Sequence, residues 1–163
     1  MSVQTNKAPR FQDLTELVTE VLAANSYFTT LSAAAVFSDT ESTARPRTVV
    51  IKDTGTTSRK NLIAKRLREC GVAIVVCPLQ GGENREKQVG FICDNLLLVK
   101  VRTNPDNFTG DVYEVVGKVV NTLTRSARHP GGEFFKFVEY LLIASEDDGE
   151  LGYALMFSKE TVE

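Results

Sequence analysis

Residues 68–78 read Arg-Glu-Cys-Gly-Val-Ala-Ile-Val-Val-Cys-Pro. Gly71 is the kind of residue that ends a helix, because glycine alone enters the left-handed region without steric cost. The six residues that follow are all apolar, so this strand has no solvent face and should be buried on both sides. Pro78 then ends it. Upstream, Leu62, Ile63 and Leu67 share one face while Lys65, Arg66 and Arg68 lie mostly elsewhere, which predicts a helix from an N-cap at Ser58 to about Cys70. A helix feeding a central strand is the unit around which the rest is arranged.

Working toward the N-terminus, residues 48–52 are β-branched and short, and Asp53-Thr-Gly-Thr-Thr after them is a turn-rich loop. The Ser-, Thr- and Ala-rich stretch 25–47 holds at most one short strand near residues 34–37, since Pro46 disfavours a helix at Arg45. Phe11, Leu14, Leu17, Val18, Val21 and Leu22 recur at helical spacing and define a first helix. Residues 1–10 show no periodicity and read as a flexible arm.

Toward the C-terminus, residues 81–88 form a polar loop expected to project from the body and make contacts. Residues 89–102 are a long strand with Leu97, Val99 and Val101 on one face and Lys100 and Arg102 on the other. Asp111 and Glu114 resemble a capping box, and Val112, Val115, Val116, Val119, Val120 and Leu123 form a wide apolar stripe behind it. Residues 134–145 and 150–158 are strands joined by an Asp-Gly hairpin signal, with Leu151, Tyr153, Leu155 and Phe157 on one side of the last. The order of elements predicts an α+β fold: a mixed, largely antiparallel sheet of four to five strands with helices packed on one face, over residues 11–163 as a single domain.

A chain of 163 residues with 42% hydrophobic and 25% charged residues is long enough and apolar enough to fold on its core alone. Apolar runs fall well short of the roughly 20 residues that cross a bilayer, and the N-terminus lacks a signal-peptide core, which predicts no membrane partner and a cytoplasmic site of synthesis and residence. Cys70, Cys77 and Cys93 follow no paired spacing and are expected to be reduced thiols.

Catalytic signatures are weak. His129 is the single histidine, in a turn-rich connection, and no nucleophile motif accompanies it. Gly81-Gly82 and Thr54-Gly-Thr-Thr-Ser-Arg-Lys match neither phosphate-binding fingerprint. Asp147-Asp148-Gly149-Glu150 lacks calcium-loop spacing and fits a hairpin tip. The expectation is a protein that is no enzyme and holds no cofactor or metal.

Charge is the more informative signal. The net charge is −2, yet residues 45–69 carry eight basic residues against two acids, and residues 133–163 carry eight acids against two lysines. The segments thus differ from +6 to −6, a pattern suited to head-to-tail contact between copies as well as to two solvated faces. A DNA-binding module is the weaker alternative, because no Phe, Tyr or Trp is interleaved among the basic residues of 45–69.

From Asn61 onward, Arg68-Glu-Cys-Gly-Val-Ala-Ile-Val-Val-Cys-Pro, the polar loop, Leu96-Leu-Leu-Val-Lys-Val-Arg-Thr-Asn-Pro, the helix of 111–124 and Gly152-Tyr-Ala-Leu-Met-Phe follow one another in an order that resembles the tail-terminator, or tail-completion, proteins of tailed phages. The resemblance covers about two-thirds of the chain and is carried by order and spacing, while stretch 25–57 departs from it by its length and Ser/Thr content. It implies an α+β virion protein in a homohexameric ring at the head-proximal end of the tail tube, made in the host cytoplasm, with DNA passing through the lumen without specific binding. Its implied partners are the tail-tube protein and a head-completion or neck protein. Tail-tube and head-completion proteins use similar small scaffolds and stay open as alternatives. The residues expected at contacts are Glu83, Asn84, Arg85, Glu86 and Lys87 toward a next ring or neighbour, and Arg59, Lys65, Arg66 and Arg68 at a subunit seam against Glu146, Asp147, Asp148 and Glu150.

Overall fold

Val72–Val76 forms strand β2 with all five residues buried, as the unbroken apolar run requires. It lies between β1 (Val50–Lys52), which pairs with it in parallel, and β4 (Gly90–Thr103), which pairs antiparallel. The computed structural model describes residues 11–34, 48–78, 84–87, 90–126, 135–144 and 150–162. Within these, β3 (Asn84–Lys87), β5 (Lys136–Ala144) and β6 (Leu151–Val162) complete a sheet of order β1-β2-β4-β6-β5, with β3 pairing the first part of β4 beside β2. One parallel pair among antiparallel ones makes it a mixed, largely antiparallel sheet, and the fold is α+β as expected.

Among the described residues four α-helices accompany it: α1 (Phe11–Ala24), α2 (Ser26–Ala34), α3 (Thr57–Cys70) and α4 (Val112–Asn121). Leu14, Val18 and Leu22 of α1, Phe28 of α2, and Val112, Val115 and Val119 of α4 pack with Ile74, Val76, Leu97, Val99, Val101, Leu155 and Phe157 in one core. At about 2 kcal/mol for each fully buried Val, Leu or Phe, this burial holds α4 in spite of its β-branched residues. Helix α3 departs from the one-face expectation. Its Ile63 and Leu67 cover Ala73, Val75 and Cys77, the alternate residues of β2 and its extension, together with Ile51, so α3 lies on the opposite face from α1 and α4. A strand apolar on both sides needs a cover on both sides, and the β1-α3-β2 crossover supplies the second.

Three local expectations are corrected. The N-cap of α3 is Thr56, not Ser58: Thr56 has extended backbone and its hydroxyl accepts from the Arg59 amide at 3.3 Å. The stretch after Asn25 is helical to Ala34, where a strand was expected to begin; residues 35–37 lie outside the described residues. Asn25 Oδ1 accepts from the Tyr27 amide at 3.0 Å, and the hydroxyls of Thr29, Thr30 and Ser32 donate to carbonyls three or four residues back. Hydroxyl side chains that would compete with a helix are thereby absorbed into it. Residues 84–87 of the polar loop form β3, because hairpin pairing with β4 satisfies their backbone without any apolar side chain. The N-terminal arm at 1–10, His129 and the hairpin tip at 145–149 lie outside the described residues.

Gly71 ends α3 with φ +75° and its amide donates to Leu67 O at 3.1 Å. Asp111 caps α4 through the Tyr113 amide at 2.9 Å. After Asn121 the helix widens into a π-helical turn over Thr122–Ser126, where Thr122 accepts from Asn25 Nδ2 at 3.1 Å and so ties the α1-α2 junction to the end of α4.

Candidate assembly surfaces

The sheet order places β1 at one edge and β5 at the other. The +6 segment contains β1 and α3, and the −6 segment contains β5 and β6. Of the acidic segment's charged residues, Lys136 and Glu139 stand on β5, Lys159 on β6 and Glu150 beside its start, while Glu133, Glu146, Asp147, Asp148 and Glu163 lie outside the described residues.

On the basic side, Lys60 and Arg68 are exposed on α3 and Arg59 and Lys65 are half-buried. Arg66, expected at a seam, is only 6% exposed, and its Nε donates to Thr48 O at 3.4 Å, fastening α3 to the approach of β1. Lys52 donates to Glu16 Oε1 of α1 at 2.9 Å. On the acidic side, Glu150 is engaged inside the chain: Arg102 Nη2 reaches its Oε2 at 2.7 Å. Glu139 is exposed on β5. Asn84, Arg85, Glu86 and Lys87 stand opposite Cys93, Ile92, Phe91 and Gly90 in the β3-β4 hairpin. Glu83, Glu146, Asp147 and Asp148 lie outside the described residues. No cluster of three or more potential metal ligands occurs among the described residues, and no described helix is long and apolar enough to cross a membrane.

The feature that sequence reasoning passed over is the apolar character of β5. Tyr140, Leu141 and Leu142 are exposed by 63, 58 and 61%, and Val138 stands at the register shift between Phe137 and Glu139. Register settles the faces. Tyr140 and Leu142 oppose Leu155 and Tyr153, on the side of α1 and α4, whereas Leu141 opposes Ala154 on the other side. Apolar surface therefore flanks this edge above and below. Tyr113 of α4, also exposed, adds to it: its ring lies 5.9 Å from that of Tyr153, which lies 6.1 Å from that of Tyr140. The Tyr153 hydroxyl donates to that of Tyr113 at 3.3 Å, a bond that with partial desolvation holds the Tyr153 phenol above its ordinary pKa. The signal was present in Tyr140-Leu-Leu-Ile-Ala, where alternation gives way to an unbroken apolar run, but such a run reads equally as a central strand.

No family model and no curated protein matches the sequence. Among solved structures, a chain of the "Virion of native gene transfer agent (GTA) particle" superposes with a TM-score of 0.60 at 12% identity, covering 96% of this chain and 100% of that one. The two chains share a fold. The likeness extends over nearly the whole length of both chains.

Proposed function

We propose that this protein is a structural subunit of a phage-like virion, acting by assembly and without bond chemistry. The observation that carries the reading is the end-to-end likeness to a chain of a gene transfer agent virion. Fold alone does not assign a role, and the two unlike edges of the sheet add a physical reason to assemble: one apolar, the other flanked by a basic helix.

The finer reading is a tail terminator: a homohexameric ring at the head-proximal end of the tail tube, binding the last tube subunits on one face and a head-completion or neck protein on the other. Heterologous contacts that close after a full rotation generate such a ring. Growth of the tube stops there because the outer face of the ring does not repeat the interface by which tube subunits add. In this role the protein resides in the virion, after assembly in the host cytoplasm.

Negative-stain imaging of the purified chain, alone and mixed with tail tubes, tests this. Rings of uniform diameter that seat on one tube end support the terminator role, rings that stack into long tubes support a tube subunit, and a chain that neither oligomerises nor docks overturns the reading.

A further inference from the structure

Strand β5 has nine residues, a length of roughly 30 Å at ~3.4 Å per residue, and is the last strand of the sheet among the described residues. The two ends of the sheet differ in kind. Val49, Val50 and Ile51 at β1 are 0, 2 and 4% exposed, so that end is covered by the chain itself, whereas Val138, Tyr140, Leu141 and Leu142 of β5 are all exposed by 47% or more. Open strand edges are normally blunted by shortness, proline, charge or bulges, since an unpaired row of amides and carbonyls templates further pairing. On β5 the register shift and both charges, Lys136 and Glu139, come before Tyr140. From Tyr140 to Ala144 the strand pairs regularly with β6 and carries neither charge nor proline. A patch on one face would suit a helix laid across the sheet. Apolar side chains on both faces of one edge suit a strand that continues the sheet, because only then are both rows covered together.

We infer that β5 pairs antiparallel with β5 of a second copy of this chain across a two-fold axis, so that the free subunit is a dimer with one sheet running through both copies. An isologous contact needs a single self-complementary edge, and β5 is one. Among the other described strands, β1 is covered and β3, built of Asn, Arg, Glu and Lys, brings no apolar side chain to cover it. Register supports the self-pairing. A two-fold axis normal to the sheet keeps each face continuous, and centred on Leu142 it sets Leu142 against Leu142, Leu141 against Ile143 and Tyr140 against Ala144. Apolar positions then meet apolar positions on both faces, and Lys136 and Glu139 fall outside the apolar stretch. Centring on Leu141 would instead set Glu139 against Ile143 and take a carboxylate out of water without a partner. Area agrees as well: Val138, Tyr140, Leu141 and Leu142, with Tyr113 beside them, expose on the order of 500 Å² per copy, so two copies bring about 1,000 Å², close to the ~1,200 Å² at which specific interfaces begin. A contact of that size forms a dimer that comes apart on dilution. Because it closes at two copies, it goes beyond the ring reading, whose seams join unlike surfaces, and stands or falls apart from it.

Sedimentation velocity of the full chain over a dilution series, with Leu141→Lys/Leu142→Lys beside the wild type, is the first arm. Both side chains are exposed, and unchanged far-ultraviolet circular dichroism verifies the fold. A wild-type dimer whose dissociation constant rises at least tenfold in the double variant supports the inference. A wild type that stays monomeric, or self-association that the double variant leaves intact, overturns it, and rings that still seat on tube ends in either case spare the proposed function. The second arm is disulfide capture under mild oxidation, which does not depend on the lysine variant folding. Leu142→Cys chains that cross-link to one another, where wild-type and Lys136→Cys chains do not, support the two-fold seam; Leu142→Cys chains that stay single, or that cross-link no more than Lys136→Cys chains, overturn it.

Discussion

Arg102 on β4 sets both its Nη2, at 2.7 Å, and its Nε, at 3.2 Å, on the single oxygen Oε2 of Glu150 at the foot of β6. The pair joins the ends of the two longest strands and leaves 33% of the Arg102 side chain and 15% of the Glu150 side chain exposed. Being partly screened, it should contribute about 1 kcal/mol, between an exposed ion pair and a buried charged hydrogen bond. A double-mutant cycle of Arg102→Ala and Glu150→Gln in urea should return a coupling of that size, diminished in high salt. A coupling indistinguishable from zero would mean that the contact is incidental.

Ser32 should matter more than a helical serine usually does. It is buried on α2, donates to Phe28 O at 2.8 Å and accepts from the Val49 amide at 3.1 Å, where the chain enters β1. Ser32→Ala leaves that buried amide without its acceptor, a loss of about 1–3 kcal/mol. The urea midpoint reads it, and amide exchange at Val49 should accelerate.

Two glycines with positive φ should respond unequally. Gly71 has φ +75°, and an added Cβ would stand 2.5 Å from the Asn107 carbonyl carbon and 2.6 Å from the Phe108 amide, both backbone atoms. Gly55 has φ +77° in open space. Gly55→Ala should cost about 1 kcal/mol, the strain of the left-handed region alone, and Gly71→Ala at least twice that. Equal thermal midpoints would show that the loop of 104–108 yields freely.

Burial pushes the Cys77 thiol above its ordinary value of 9.0; Asp53 adds to the shift, and Lys100 and Arg102 oppose it. The folded state therefore holds the proton more tightly than the unfolded chain does. Its contribution is fully present below pH 9.0 and is lost as pH rises through the folded value. Stability measured from pH 8 to pH 10 should fall less steeply in Cys77→Ala than in the wild type, and the native thiol should resist an aromatic disulfide reagent that labels it on denaturation.

Elements whose identity depends on neighbours in the chain were legible. The apolar run of 72–77, the valine stripe from Val112 to Leu123 and the alternation of Leu97, Val99 and Val101 all appear as expected, and Gly71 ends its helix. Where local chemistry offered two solutions, the reading went wrong. Asn25, Thr29, Thr30 and Ser32 serve a turn or a helix equally well until Phe28 finds the core, and β3 has no apolar periodicity because pairing with β4 supports it. Among the contact residues, Arg66 and Glu150 were grouped by charge, but one is buried beside Thr48 and the other is held by Arg102.

By itself the sequence determined the α+β class, the places of most helices and strands, and a charge division between two parts of the chain, because side-chain period and net charge are properties of short stretches. Only the tertiary structure decided that α3 lies across the sheet from α1 and α4, that β1 and β5 form the two ends of the described sheet, and that Tyr140, Leu141 and Leu142 remain uncovered. Strand order and edge exposure arise from pairings between residues far apart in the chain, so an apolar strand reads the same whether a neighbour stands on one side of it or on both.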